Sequence, residues 1–104
     1  MHEVSIGDGL KKVLERLYKK DRVTYEVLMK KMEEVINSDV AHYKNLRAPL
    51  QDLKRVHIRG PFVLTFKYIE SEDEIIFYDF DHHDQIYKWL FLEVNYIYTI
   101  LSAP

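Results

Sequence analysis

A basic row that contains a histidine is the first feature able to do chemistry. Residues 54–59 read Lys-Arg-Val-His-Ile-Arg, with apolar and polar positions alternating. On a β-strand this alternation turns Arg55, His57 and Arg59 to one face, about 7 Å apart along the strand. Guanidinium groups bind phosphate through paired hydrogen bonds, and an imidazole exchanges protons near neutral pH. The row therefore favours a polyanion such as RNA, while a solvated outer face of a sheet explains the same pattern.

A second cluster combines histidines with carboxylates in residues 79–84, Asp-Phe-Asp-His-His-Asp. Imidazole and carboxylate bind Zn²⁺, Mn²⁺ and Fe, so Asp79, Asp81 and His82 form a candidate site for a metal-dependent nuclease. His82 and His83 are adjacent and are expected to point to opposite sides of an extended segment, which disfavours a shared metal. The cluster favours a histidine acting as general acid or base instead, with a solvated turn as the structural alternative. We expect no metal and no other cofactor.

Further candidate RNA contacts lie on either side of these two clusters. Tyr87 follows the histidines and could stack on a base, although tyrosine is also common at the edge of a core. Lys44 and Arg47 place two cations beside Tyr43, in a stretch that a solvated loop explains equally well. With Lys54 and Arg59, these cations form the predicted set of additional phosphate-binding residues.

Two amphipathic helices precede the candidate site. Apolar residues spaced by three and four predict a first helix, with Asp8 as its N-cap and a break at residues 20–21. A second helix of about 15 residues follows and stops near residues 37–39, Asn-Ser-Asp. Two such helices joined by a short turn are expected to lie against a flat element.

The flat element is a predicted sheet. The period changes to two from Leu53, and two further β-branched and aromatic runs follow at residues 62–69 and 75–80. Turn residues separate the three runs, which predicts an antiparallel meander. The expected fold class is α+β, with two N-terminal helices packed on a small antiparallel sheet. Residues 89–104 form an apolar C-terminal extension, too short to span a bilayer, that suits an extra core element or self-association.

Composition limits the classes of protein that fit. The chain has 104 residues, 47% of them hydrophobic and 31% charged, which predicts one domain over residues 1–104. It has no cysteine, which excludes disulfides, thiolate metal sites and cysteine nucleophiles, and the N-terminal stretch does not resemble a secretory signal. We therefore expect a cytoplasmic protein. The net charge of −2 averages a basic segment at residues 38–69, net +4, with an acidic one at residues 70–104, net −7.

The order of these segments resembles a known family. HYKNLRAPLQDLKRVHIRGPFVLTFKY followed by IIFYDFDHHDQIYK resembles the RelE/ParE superfamily of type II toxin–antitoxin toxins, particularly its archaeal RelE-like members. The resemblance runs from about Leu10 to Lys88. It implies a fold similar to microbial ribonucleases and cleavage of mRNA in the ribosomal A site. In that reaction the 2′-hydroxyl attacks the adjacent phosphate without a metal, and a RelB-like antitoxin holds the toxin in check.

The resemblance also implies roles for individual residues. Arg55 and His57 fall where RelE enzymes place paired cations, and Tyr87 falls where they place a tyrosine that packs on the substrate base. His82 and His83 fall near the position at which histidine-using relatives keep an acid or base. The resemblance therefore implies five catalytic residues: Arg55, His57, His82, His83 and Tyr87.

Two positions depart from the RelE pattern. Val63 and Asp81 stand where RelE ribonucleases carry arginines. These departures favour an alternative, a non-catalytic binding module on the same fold that binds antitoxin or another target without cleaving RNA. The partners expected from the resemblance are a cognate antitoxin, mRNA and the ribosome, in a homodimer or a toxin–antitoxin heterotetramer, without a membrane.

Overall fold

The computed structural model describes residues 2–46, 52–86 and 88. The prediction for the apolar extension, residues 89–104, therefore lies outside the described residues. The elements in chain order are β1 (Glu3–Ile6), α1 (Asp8–Lys20), α2 (Arg22–Ile36), a 3-10 turn (Val40–His42), β2 (Lys54–Ile58), β3 (Phe62–Ile69), a second 3-10 turn (Glu70–Glu72) and β4 (Glu74–His82). Residues 83–86 continue from β4 as helical turn. The predicted α+β class is confirmed.

One aspartate separates the two helices. The backbone N–H of Asp21 donates to the carbonyl of Leu17, which closes α1. The Asp21 carboxylate accepts from the backbone N–H of Thr24 at 3.1 Å and caps α2. The predicted break and the length of α2, 15 residues, are confirmed. Helix α1 begins one residue earlier than predicted, because Gly7 is its N-cap and Asp8 belongs to its first turn.

The sheet has four strands in the order β1-β4-β3-β2. Strands β2, β3 and β4 pair antiparallel, as the sequence predicts. Strand β1 was not predicted, and it pairs parallel with β4, so the sheet is mixed rather than purely antiparallel. The Ser5 hydroxyl donates to the Glu74 carboxylate at 2.6 Å, and the Glu3 N–H donates to the Asp73 carbonyl. These contacts hold the N-terminal strand at the edge of β4.

A β-bulge resets the alternation of side chains in β4. Thr65 pairs with Asp79, but the next residue of β3, Phe66, pairs with Phe77, so Tyr78 is the extra residue. Before the bulge the odd-numbered Phe77 is buried, and after it the even-numbered Phe80 is buried. Both phenylalanines can therefore enter the same core, and Asp79 is turned to the other face.

The core lies between the helices and one face of the sheet. Leu10 of α1 and Leu28 of α2 are fully buried in one cluster with Ile58, Leu64 and residues of β4. Burying these apolar side chains fixes which face of β2 turns inward. The alternate residues of β2 are left on the opposite face of the sheet, where the candidate site forms.

Candidate functional site

The face of the sheet opposite the helices carries a pocket of about 240 Å³. Its floor is apolar, because Val63, Leu46 and Ile86 are each at least 97% buried yet lie outside the helix-side core cluster. The polar lining comes from separate parts of the chain. These lining residues are Asn45, Arg55, His57 and His83. Three of the five predicted catalytic residues therefore meet in one pocket.

Strand β2 supplies the guanidinium and the first imidazole. Arg55 and His57 are two residues apart on the strand, and their side chains share the outer face because Val56 and Ile58 turn to the core. Arg55 Nη1 lies 3.2 Å from His57 Nδ1. Since a guanidinium is only a donor, Nδ1 accepts in this contact. The contact orients the His57 ring beside Arg55.

The second imidazole comes from the end of β4. The chain changes from strand to helical turn between His82 and His83, and the His83 backbone N–H donates to the carbonyl of Pro61 at 2.9 Å. This contact ties residue 83 to the β2–β3 turn. The side chain then lies in the pocket, and its Nε2 is 2.9 Å from Asp84 Oδ1. Of the two adjacent histidines, His83 is the one that lines the pocket.

His82 lies beside the pocket rather than in its lining. Its ring stacks on His83 with centroids 4.8 Å apart and meets the edge of Phe62 at 5.9 Å. The expectation that His82 and His83 point to opposite sides is therefore wrong. Side chains alternate between the two faces only as far as His82, where β4 ends. His83 is in helical turn, so its side chain need not point away from that of His82.

Lys54 anchors the loop at residues 43–46, which closes one side of the pocket. Its Nζ donates to the Tyr43 carbonyl at 3.2 Å and to Asn45 Oδ1 at 3.0 Å. Asn45 forms an isolated bridge with Lys54, and Arg55 N–H donates to the Lys44 carbonyl at 2.9 Å. The side chain of Lys44, within this loop, is exposed. Sequence reasoning did not single out Asn45, although it lies in the quoted HYKNLR segment.

Arg59 does not share the face of Arg55 and His57. Strand β2 ends at Ile58, and Arg59 adopts a left-handed conformation with φ of 54°. Its Nη1 donates to the Thr24 hydroxyl at 3.1 Å, and it lines a different pocket of about 420 Å³ between α1 and the sheet end. The predicted row of three residues therefore contains two. Arg47 and Tyr87 lie outside the described residues.

Two carboxylates stand across β3 from the basic pair. Asp79 pairs with Thr65 and Asp81 with Val63, while Arg55 and His57 pair with the same two residues from the other side. Burial raises the pKa of the Asp79 carboxyl, against the lowering effect of its hydrogen bond from the Phe80 backbone. Within the described ranges, Asp79 and Asp81 join no metal-ligating group; the group found there is His82, His83 and Asp84.

Comparison with known proteins shows which family this fold and pocket belong to. No family model matches the chain. A candidate toxin of Methanocaldococcus jannaschii, RelE4, is 51% identical over 88 residues, which are 85% of this chain and 93% of that protein. The chain belongs to the RelE-like toxin family.

Solved structures of RelE-type toxins share the fold. The toxin–antitoxin complex RelBE of Escherichia coli has a chain with a TM-score of 0.61 at 17% identity, covering 79% of this chain and 96% of that one. YafQ of E. coli has a TM-score of 0.66 at 14% identity, covering 84% of this chain and 99% of that one. The resemblance found in the sequence is therefore confirmed for the RelE-like family and its fold. None of the described helices has both the length and the apolar character needed to cross a membrane.

Proposed function

We propose that this RelE-like protein is a metal-independent endoribonuclease that cleaves ribosome-bound mRNA in the cytoplasm. The observation that carries the proposal is the convergence of Arg55, His57 and His83 on one pocket of about 240 Å³. A fixed cation that stabilises charge on phosphate and two groups that move protons are what cleavage by an internal 2′-hydroxyl requires. The pocket holds one guanidinium and two imidazoles.

In the proposed reaction the 2′-oxygen forms a bond to phosphorus and the bond from phosphorus to the 5′-oxygen breaks. The entering phosphate competes with His57 for the Arg55 guanidinium, because a charged acceptor binds it more strongly than a neutral imidazole. His57 Nδ1 is then released to accept the proton of the 2′-hydroxyl. His83 donates a proton to the departing 5′-oxygen, and Arg55 stabilises the charge on the phosphate.

We propose that a cognate antitoxin binds and neutralises the protein; the support is that a chain of the RelBE toxin–antitoxin complex is a fold relative. Tyr87 and Arg47 stay predicted RNA contacts, for base stacking and phosphate binding respectively, with Lys44 beside the pocket. A toxin–antitoxin heterotetramer or a homodimer is the assembly we expect. Co-purification with the product of an adjacent short reading frame tests the antitoxin part directly.

The test of the catalytic proposal is cleavage of ribosome-bound mRNA in the presence of EDTA. We expect wild type to cut, and His83→Ala to cut about 10²- to 10⁴-fold more slowly, the usual contribution of a general acid or base. His42→Ala is the matched control, because His42 is exposed in a 3-10 turn and does not line the pocket. No cleavage by wild type, or equal rates for wild type and His83→Ala, contradicts the proposal.

A second candidate function rests on the apolar floor of the pocket. Val63 is 98% buried where RelE ribonucleases carry an arginine by resemblance, and Asp81 pairs beside it. These two positions favour a non-catalytic module that binds antitoxin or another target. Under that alternative, antitoxin binding persists while wild type and His83→Ala are equally inactive on RNA.

A further inference from the structure

Two imidazoles and a carboxylate meet at the end of β4. His82, His83 and Asp84 each offer one ligand atom, and the three atoms lie within 4.8 Å of one another. His83 Nε2 is 2.9 Å from Asp84 Oδ1, and His82 Nδ1 is 3.7 Å from Asp84 Oδ2. Ligand atoms that share a tetrahedral ion at about 2.0–2.2 Å are roughly 3.3 Å apart. The two gaps, which are measured to different oxygens of Asp84, lie on either side of that spacing, and small rotations of the side chains bring the three ligand atoms to it.

The change from strand to helical turn builds this arrangement. Three consecutive residues on a strand would alternate between faces, but β4 ends at His82 and helical backbone begins at the next residue. The Asp84 backbone N–H donates to His82 Nδ1 at 3.2 Å, a hydrogen bond that an ion on this nitrogen replaces, and Phe62 makes a T-shaped contact with the His82 ring. The three side chains are therefore gathered by contacts of the chain itself.

The cluster is open to solvent. The side chains of His82, His83 and Asp84 are 36%, 45% and 75% exposed. An ion can reach the three ligand atoms from solution, and water can complete its coordination. Imidazole nitrogen with one carboxylate suits Zn²⁺, Ni²⁺ or Cu²⁺, whereas Mg²⁺ and Ca²⁺ prefer sites made only of oxygen.

We propose that His82, His83 and Asp84 bind one borderline transition-metal ion, such as Zn²⁺ or Ni²⁺, and that the bound ion inhibits the adjacent pocket. Binding itself depends only on the three ligands. Inhibition rests on the proposed function, because His83 is both a ligand and a lining residue of the pocket with Arg55 and His57. A metal on His83 Nε2 occupies the lone pair of that nitrogen, so the ring cannot be protonated there and cannot act as the general acid from that atom. This role is opposite to that of a metal-dependent nuclease.

Calorimetric titration of the metal-stripped protein with Zn²⁺, Ni²⁺ and Mg²⁺ tests the binding step. We expect one equivalent of Zn²⁺ or Ni²⁺ and no heat of binding with Mg²⁺. His82→Ala should weaken Zn²⁺ binding at least about tenfold, while His42→Ala, which removes an exposed histidine elsewhere, should leave it unchanged. In NMR spectra of the imidazoles, Zn²⁺ should shift His82 and His83 and leave His2 unshifted.

Each outcome decides one part of the proposal. Equal Zn²⁺ affinity for wild type and His82→Ala, or shifts centred on His42 or His57, overturns the site. Binding at the site without a change in RNA cleavage overturns only the inhibition. If wild type cleaves RNA, Zn²⁺ should lower its rate, and the same Zn²⁺ concentration should lower the rate of His82→Ala by a smaller factor, each relative to its own metal-free rate. If wild type does not cleave RNA at all, the proposed function fails while the titration still decides whether the metal site exists.

Discussion

Replacing Lys54 by methionine distinguishes a residue that positions the pocket from one that binds phosphate. Sequence reasoning assigns Lys54 to phosphate, whereas the structure shows its ammonium donating to Tyr43 and Asn45. Methionine keeps much of the apolar length and removes both hydrogen bonds. Because the two bonds are partly exposed, we expect Lys54→Met to lower the stability of the loop against opening by only about 1 kcal/mol.

A loss of about 1 kcal/mol corresponds to a roughly fivefold increase in the population of the opened loop. Two backbone amides report on this opening, since Leu46 N–H donates to the Leu53 carbonyl at 2.8 Å and Arg55 N–H donates to the Lys44 carbonyl at 2.9 Å. Hydrogen exchange at both amides should rise by that factor in Lys54→Met. Exchange in the core strand β3 should not change.

The second measurement is the salt dependence of binding to an uncleavable 2′-O-methyl RNA. Each lost phosphate contact lowers the slope of log affinity against log salt by about 0.7 for a single strand. Lys54→Met should leave this slope unchanged, while Lys44→Met, a change of equal charge at an exposed position, should lower it without altering the exchange of the two amides. A lower slope in Lys54→Met together with unchanged amide exchange would refute the positioning role.

Three further predictions concern stability. Phe66→Ala should lower the free energy of unfolding by about 3–5 kcal/mol in chemical denaturation, since Phe66 is fully buried. Hydrogen bonds from His2 and, to a smaller extent, Tyr68 lower the pKa of Asp73 below its ordinary 3.8. The stabilising contribution of Asp73 is therefore present above that pH and is lost as the pH falls through the lowered pKa. Asp73→Asn should accordingly make the melting temperature fall less steeply at acid pH. Burial raises the pKa of Asp79, so the stabilising contribution of its protonated form is present below the ordinary 3.8 and is lost as the pH rises through the raised pKa. Asp79→Asn should raise the free energy of unfolding at neutral pH by no more than about 0.5 kcal/mol, because the group is partly exposed.

Local patterns were sufficient for the helices and for three of the strands. The spacing of apolar residues placed α2 and its end correctly, and the alternation in β2 separated Arg55 and His57 from the core. Strand β1 was missed because it is four residues long, and its pairing partner Glu74 lies about 70 residues away in the chain. A parallel pairing across that distance leaves no turn signal in the sequence.

The sequence predicted which kinds of residue form the site better than it predicted which of them lie together. His57 and His83 meet in the pocket because β4 ends at His82. Arg59 does not join the predicted row because β2 ends at Ile58, one residue before the alternating sequence pattern ends. The β-bulge at Tyr78 also sets which face receives Asp79. Strand ends and bulges depend on pairing between distant residues, which a single-strand pattern does not contain.

The acidic excess of the C-terminal third is compatible with the RNA binding that the proposed function requires of the pocket. In the sheet register, the basic column Arg55 and His57 is separated from the acidic column Asp79 and Asp81 by strand β3. Two strand spacings are about 9.6 Å, slightly more than the Debye length of about 8 Å at physiological ionic strength. The acidic column repels a phosphate held at the basic column, and salt largely screens this repulsion. The close contact between Arg55 and the phosphate is screened much less. Under the proposed function, the carboxylates of β4 repel phosphate on that side, so an RNA backbone should follow β2 and His83. Lowering the salt concentration should strengthen this preference.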